Sequence, residues 1–247
     1  MPKKGIQEIQ ASAAEFSQRK PYPDIGFFQS LTKGQDPSAI LICCSDSRIV
    51  PNLITESRPG ELFVIRNAGN IIPSFNPHTI MPDSMIASIE YAITVLEIQE
   101  IIVCGHSNCG AMTSLVNPDS IPSLPVASKW LKYYAAEALE NAKKKHHDHP
   151  DGSDELLIKS TIEKNVLLQI EHLKTHPVVQ EAIAAGKLKI HAWVYDVGTR
   201  VMQEYSEEKE QFVPLKNDKV NTASDDLKEP SRDETMTPFN LTLCQIL

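Results

Sequence analysis

Two short, unbroken apolar runs constrain this chain most. Residues 39–44 read AILICC and residues 100–104 read EIIVC. A strand that is apolar at successive positions, rather than alternating ones, is buried on both faces, as strands of a parallel sheet are. Residues 61–66 (ELFVIR) follow the turn Pro59-Gly60 and read as another strand. Residues 188–195 read as a fourth, and 200–205, after the turn Val197-Gly198-Thr199, as a fifth. Between them lie segments of helical character. These cover 6–19, part of 50–57, 83–98, 126–145, 155–173 and 178–185. In 83–98, Met85, Ile86, Ile89, Ile93 and Leu96 recur at helical spacing. Alternating strands and helices predict an α/β fold, a mainly parallel central sheet with helices on both faces. One domain over 1–213 is expected, opened by a helical arm at about 6–20. Residues 214–247 read as a polar tail.

Charge and composition narrow the function. The formal net charge is -8, which argues against nucleic acid or an anionic membrane as a partner. No apolar run approaches the roughly 20 residues of a membrane span. The start, MPKKGIQEIQASAAEF, has no apolar segment typical of a secretory signal. Five cysteines, an odd number in a chain of 247 residues, point to a cytoplasmic protein using some of them as ligands or nucleophiles.

Two segments carry the chemistry. Cys44-Ser45-Asp46-Ser47-Arg48 follows the first strand, and His106-Ser107-Asn108-Cys109-Gly110 follows the third. Open α/β sheets bind ligands beyond the carboxyl ends of their strands, so the topology can bring both segments together. Thiolate and imidazole are preferred zinc ligands, and three protein ligands with one open position is the catalytic arrangement. His106 and Cys109, two residues apart on a loop entering a helix, can aim at one point. Cys44 completes the set, for one Zn2+ per chain.

CSDSR, RNAGN at 66–70, IEYA at 89–92 and GHSNCG at 105–110, occurring in this order, closely resemble the β-carbonic anhydrases. The resemblance spans roughly residues 20–205. It implies a four-stranded parallel core with an added fifth strand, and N-terminal helices that clasp a neighbouring subunit in a homodimer or a multiple of dimers. It implies zinc-dependent reversible hydration of CO2 to bicarbonate and a proton. Cys44, His106 and Cys109 match the family's zinc ligands, and Asp46 and Arg48 its aspartate–arginine pair. Gln35, nine positions before Cys44, matches a substrate-binding glutamine of plant-type members. Phe63, Ala68 and Tyr91 match positions lining the small apolar substrate pocket. Leu41 stands where members that close at low pH carry tryptophan. With Gln35, this suggests the open subtype, although Asp46 remains a candidate fourth ligand. The same scaffold would also suit a CS2 or COS hydrolase, or a non-catalytic zinc-stabilised assembly protein.

Other features take plainer readings. His146, His147 and His149 read as a solvated loop after Lys143, Lys144 and Lys145. Cys43 and Cys104 read as core residues, Trp130 and Trp193 as packing residues, and Arg66 and Asn67 as braces for the loop around Ala68.

Overall fold

The computed structural model describes residues 3–18, 25–78, 83–120, 124–146 and 153–216. Residues 35–216 form one compact α/β unit. Its strands are β1 (Ala39–Cys44), β2 (Leu62–Asn67), β3 (Glu100–His106), β4 (Lys189–Tyr195), β5 (Met202–Ser206) and β6 (Gln211–Pro214). They form one sheet in the order β2-β1-β3-β4-β5-β6. The first four in that order are mutually parallel, and β5 and β6 add antiparallel. β6 is a strand that the sequence reading did not place. It has four residues, and its last is Pro214.

The helices are α1 (Ile6–Phe16) and α2 (Ile25–Ser30), which precede that unit, and, within it, α3 (Pro51–Ile54), α4 (Ser84–Thr94), α5 (Gly110–Val116), α6 (Pro125–Tyr134), α7 (Ala136–His146), α8 (Asp154–Lys174) and α9 (Pro177–Ala184). No helix among the described residues is long and apolar enough to cross a membrane. α1 carries Ile6, Ile9 and Phe16 on its surface and buries none of its residues. The polar tail from 217 on, with His147 and His149, lies outside the described residues.

Every residue of β1 is buried. Ile40, Ile42 and Cys44 point to one side of the sheet, where Ile162, Val166, Ile170 and Leu173 of α8 cover them. Leu41 and Cys43 point to the other, among Ile49, Ile102, Cys104 and Tyr195. Each such aliphatic side chain contributes about 1.5–3 kcal/mol on burial. This two-sided core fixes the strand on which the first metal-ligand candidate ends.

Three boundaries differ from expectation, each for a local reason. The helix expected over 126–145 is two, α6 and α7. Gln169 Nε2 donates to the Tyr134 carbonyl at 3.0 Å, and Ala138 N–H turns to Ala135 O at 3.0 Å, so the helical ladder breaks at Ala135. β3 does not stop at Gly105 but runs through it to His106. A Cβ at 105 would stand 2.7 Å from Val166 Cγ2, so the glycine admits α8 rather than ending the strand. α4 stops at Thr94, and Glu97, at φ 52, turns the chain towards β3. Its start is as legible as any: Asp83 caps it by accepting from the N–H groups of Met85 and Ile86.

Candidate metal centre

β1 and β3 are neighbours, and both run towards the same edge of the sheet. Cys44 ends β1 and His106 ends β3. Asn108, at φ 55, bends the chain sharply after His106, and Cys109 caps α5. The result is convergence: Cys44 Sγ, Cys109 Sγ and a ring nitrogen of His106 lie within 4.8 Å of one another, all three residues buried. Tetrahedral zinc, at about 2.3 Å from sulfur and about 2.0 Å from nitrogen, needs ligand atoms about 3.5–3.8 Å apart, inside that bound.

The state of each ligand suits a metal. His106 Nδ1 lies 2.9 Å from Ser107 O. A carbonyl only accepts, so Nδ1 carries the proton and Nε2 keeps its lone pair. Nε2 is buried and has no hydrogen-bond partner among the described residues. A buried imidazole nitrogen left in that state is costly unless something accepts its lone pair. The hydrogen bond between the Cys109 and Cys44 side chains pulls the Cys44 thiol well below its ordinary pKa. The same bond, with burial, pushes Cys109 up. Two buried sulfurs within 4.8 Å, one drawn towards the thiolate, beside an imidazole lone pair make a place that suits a dication. The residues present thus fit zinc.

The turn after β1 is braced from several sides. Ser45 N–H donates to Asn67 O at 2.9 Å and Ile49 N–H to Asp46 O at 3.0 Å. Arg66 Nε donates to Cys44 O at 3.1 Å and its Nη2 to Asp46 O at 2.8 Å. Arg66 thus braces the Cys44–Asp46 turn rather than the loop around Ala68. That loop is closed by Asn67, whose side chain both donates to and accepts from Ile71. Gly69 N–H reaches Cys44 Sγ at 3.4 Å.

Asp46 and Arg48 form a planar, two-bond clamp. Arg48 Nε donates to Asp46 Oδ1 at 2.9 Å and Nη2 to Oδ2 at 2.7 Å. Arg48 Nη2 also donates to Asn108 O at 2.9 Å, tying the clamp to the second ligand loop. The arginine's hydrogen bonds hold the Asp46 carboxyl well below the usual carboxylate range. Asp46 Oδ2 stands 3.9 Å from His106 Nε2.

The remaining candidates are not gathered around these ligands. Ala68 is close, one residue before Gly69, and borders an apolar hollow of about 540 Å³ with Leu124, Val126 and Trp130. Phe63 pairs with Ile40, whereas Asn67 pairs with Cys44. Four residues at about 3.3 Å each put Phe63 about 13 Å down the sheet from Cys44. Gln35 is exposed and precedes β1 at the end opposite Cys44. Tyr91 is exposed on α4.

The carbonic anhydrase family model matches residues 39–202. A solved β-carbonic anhydrase, CcaA, is similar in structure with a TM-score of 0.76 and 37% identity, over 86% of this chain and 93% of that one. The chain belongs to the β-carbonic anhydrase family. Among its relatives, a carbonic anhydrase of Pseudomonas aeruginosa is 42% identical over 80% of this chain and 87% of its own length. Carbonic anhydrase 1 of Escherichia coli O157:H7 is 40% identical over 80% and 87%. A tetrameric β-carbonic anhydrase of Sordaria macrospora is similar with a TM-score of 0.65 and 28% identity, over 81% of this chain and 95% of that one. As a β-carbonic anhydrase the chain is a zinc enzyme catalysing reversible hydration of CO2 to bicarbonate and a proton.

Proposed function

We propose that Cys44, His106 and Cys109 hold the zinc, and that the Asp46–Arg48 clamp orients the water that attacks CO2. The observation that carries this reading is the clamp itself, set beside the unpartnered His106 nitrogen. Zinc supplies a Lewis acid that makes water nucleophilic near neutral pH. Asp46 accepts a hydrogen bond from the attacking oxygen and so aims its lone pair at the substrate carbon. Arg48 occupies both carboxylate oxygens, which supports an Asp46 held off the metal and hence the open subtype. Ala68 offers CO2, which has no net dipole, an apolar wall.

Gln35, Phe63 and Tyr91 act in the site of a second subunit. The strand register supports this: within one chain Phe63 stands well down the sheet from Cys44, and Gln35 lies before the far end of β1. In a homodimer each chain supplies them to its neighbour. There the Gln35 amide donates to the oxygen on which negative charge develops, at no cost of reorganisation. The unburied apolar face of α1 is consistent with such an assembly. The four described cysteines are free thiols, which agrees with a cytoplasmic location.

Mixed dimers test the arrangement. Gln35→Ala and Cys109→Ser chains should each be nearly inactive alone. When unfolded together and reassembled, a hybrid pairs intact ligands from one chain with intact Gln35 from the other. Recovery of activity at one site per hybrid is expected. No recovery, with hybrids demonstrated by mass, would place Gln35 in its own chain's site.

A further inference from the structure

Trp130 sits half-buried on α6, and its indole Nε1 donates to Ala68 O at 3.0 Å. Ala68 C=O and Gly69 N–H are opposite ends of one planar, trans peptide group. Holding one end therefore sets the direction of the other, and the other end points at Cys44 Sγ at 3.4 Å. We infer that Trp130 is a positioning residue for the metal-binding thiolate, acting through the 68–69 peptide group to aim and polarise the Gly69 N–H that donates to Cys44. This rests on the reading of Cys44 as a zinc ligand.

The local backbone explains why such a hold is needed. Gly69 has φ +85, and glycine accepts either sign of φ at little cost, so its flanking peptide groups can turn freely. Both are pinned. Trp130 takes the group before Gly69. Asn165, buried on α8, takes the group after it, donating Nδ2 to Gly69 O at 3.0 Å. Asn165 is itself fixed by Gln169, whose Nε2 donates to Asn165 Oδ1 at 2.9 Å. An alanine at 69 would bring its Cβ 3.2 Å from Met112 Cε and 3.3 Å from Ala111 Cβ, so α5 packs directly on this peptide. Two polar side chains from two helices thus converge on one glycine whose N–H faces a metal-ligand sulfur.

The consequence is electronic. A donor on the carbonyl oxygen draws charge from the amide and strengthens its N–H as a donor, as in hydrogen-bonded chains generally. The strengthened N–H draws charge from the sulfur. In a centre with two thiolates this makes Cys44 a weaker electron donor and the metal a stronger Lewis acid. Groups that hydrogen-bond to ligands commonly tune metal sites in this way.

Cobalt(II) loaded into the full chain reads the sulfur directly, because thiolate-to-cobalt charge transfer absorbs in the near ultraviolet. Trp130→Phe keeps an aromatic ring on the face against Tyr134, 4.9 Å away between centroids, and removes the donor. The band should move to longer wavelength in the variant, since a sulfur relieved of its donor gives up charge more readily. Zinc affinity, measured by chelator competition, should fall about tenfold, the low end for a group behind a ligand. The freed 68–69 peptide group no longer holds the sulfur in place, a loss that outweighs the sulfur's stronger donation. Trp130→Tyr should behave alike and serves as the second variant. A band at the wild-type wavelength in both overturns the inference, even with weakened zinc binding, because the indole would then only pack. A Cys44→Ser chain that keeps the wild-type band would instead remove Cys44 from the metal site.

Discussion

Gly105→Ala tests how closely α8 lies on the sheet. A Cβ there would stand 2.7 Å from Val166 Cγ2 and 3.3 Å from Ile162 Cγ2. Carbon atoms rest about 3.5–4.0 Å apart, so Val166 would have to give by roughly 1 Å. It has little freedom to do so, being fully buried and β-branched within a helix, where one rotamer dominates. α8 or β3 must shift instead, and overpacking of this kind costs about 1–3 kcal/mol. Alanine in place of glycine returns about 0.5–1 kcal/mol of backbone entropy. Central values leave a net loss of about 1 kcal/mol, or about 2–4 °C in Tm for a chain of this size. Thermal melts at fixed protein and zinc concentration measure it. Val166→Ala alone should also destabilise, by leaving a cavity. In the double variant the new methyl enters that space, so the pair should be at least about 1 kcal/mol more stable than the sum of the singles. A single variant melting at or above wild type, or strict additivity in the double, would refute the close approach.

Cys109→Ser should reduce bound zinc from one per chain to nearly none, since a neutral hydroxyl is a far poorer ligand than a thiolate; metal analysis after gel filtration reads this. Arg48→Ala frees Asp46 and should lower CO2 hydration about a hundredfold in stopped-flow, the scale of a small misplacement at a reacting group, with zinc content kept. Full activity in that variant would remove the clamp from the mechanism. His191 touches Glu100 with Nε2 at 2.9 Å and Glu204 with Nδ1 at 2.8 Å. Burial opposes its charge, but the two carboxylates outweigh burial and raise its pKa. A raised pKa stabilises the fold fully below about pH 6.5, its unfolded value, and the benefit fades as pH climbs through the folded value. The stability gap between wild type and His191→Gln should therefore shrink from pH 6 to pH 9 in denaturant titrations, and a constant gap would contradict the assignment.

The apolar runs and the ligand spacings were legible because both are local. AILICC needs burial on two faces wherever it sits, and HSNC needs only one turn to aim two ligands. What could not be read depends on partners far away in sequence. Gln169 breaks the helix at Ala135 from another helix, and nothing in residues 126–145 announces it. Trp130 reads as a packing residue until its neighbour across the fold, Ala68, is known. Gly105 has the composition of a strand breaker, yet its role is to admit Val166. β6 is four residues in a polar neighbourhood, and only pairing with β5 makes it a strand.

Cys43 and Cys104 face each other across β1 and β3 on the side of the sheet away from α8. Burial pushes the Cys43 thiol up to about 11 and Cys104 higher still. Alkylating and oxidising agents attack thiolates, so these two sulfurs are chemically silent in the folded protein. Of the four described cysteines, Cys44 is the one whose thiol is drawn towards the thiolate, so it is the one to answer a thiol reagent, and bound metal would mask it. The rate at which Cys44 itself takes up such a reagent is therefore a gauge of how many sites have lost their ion.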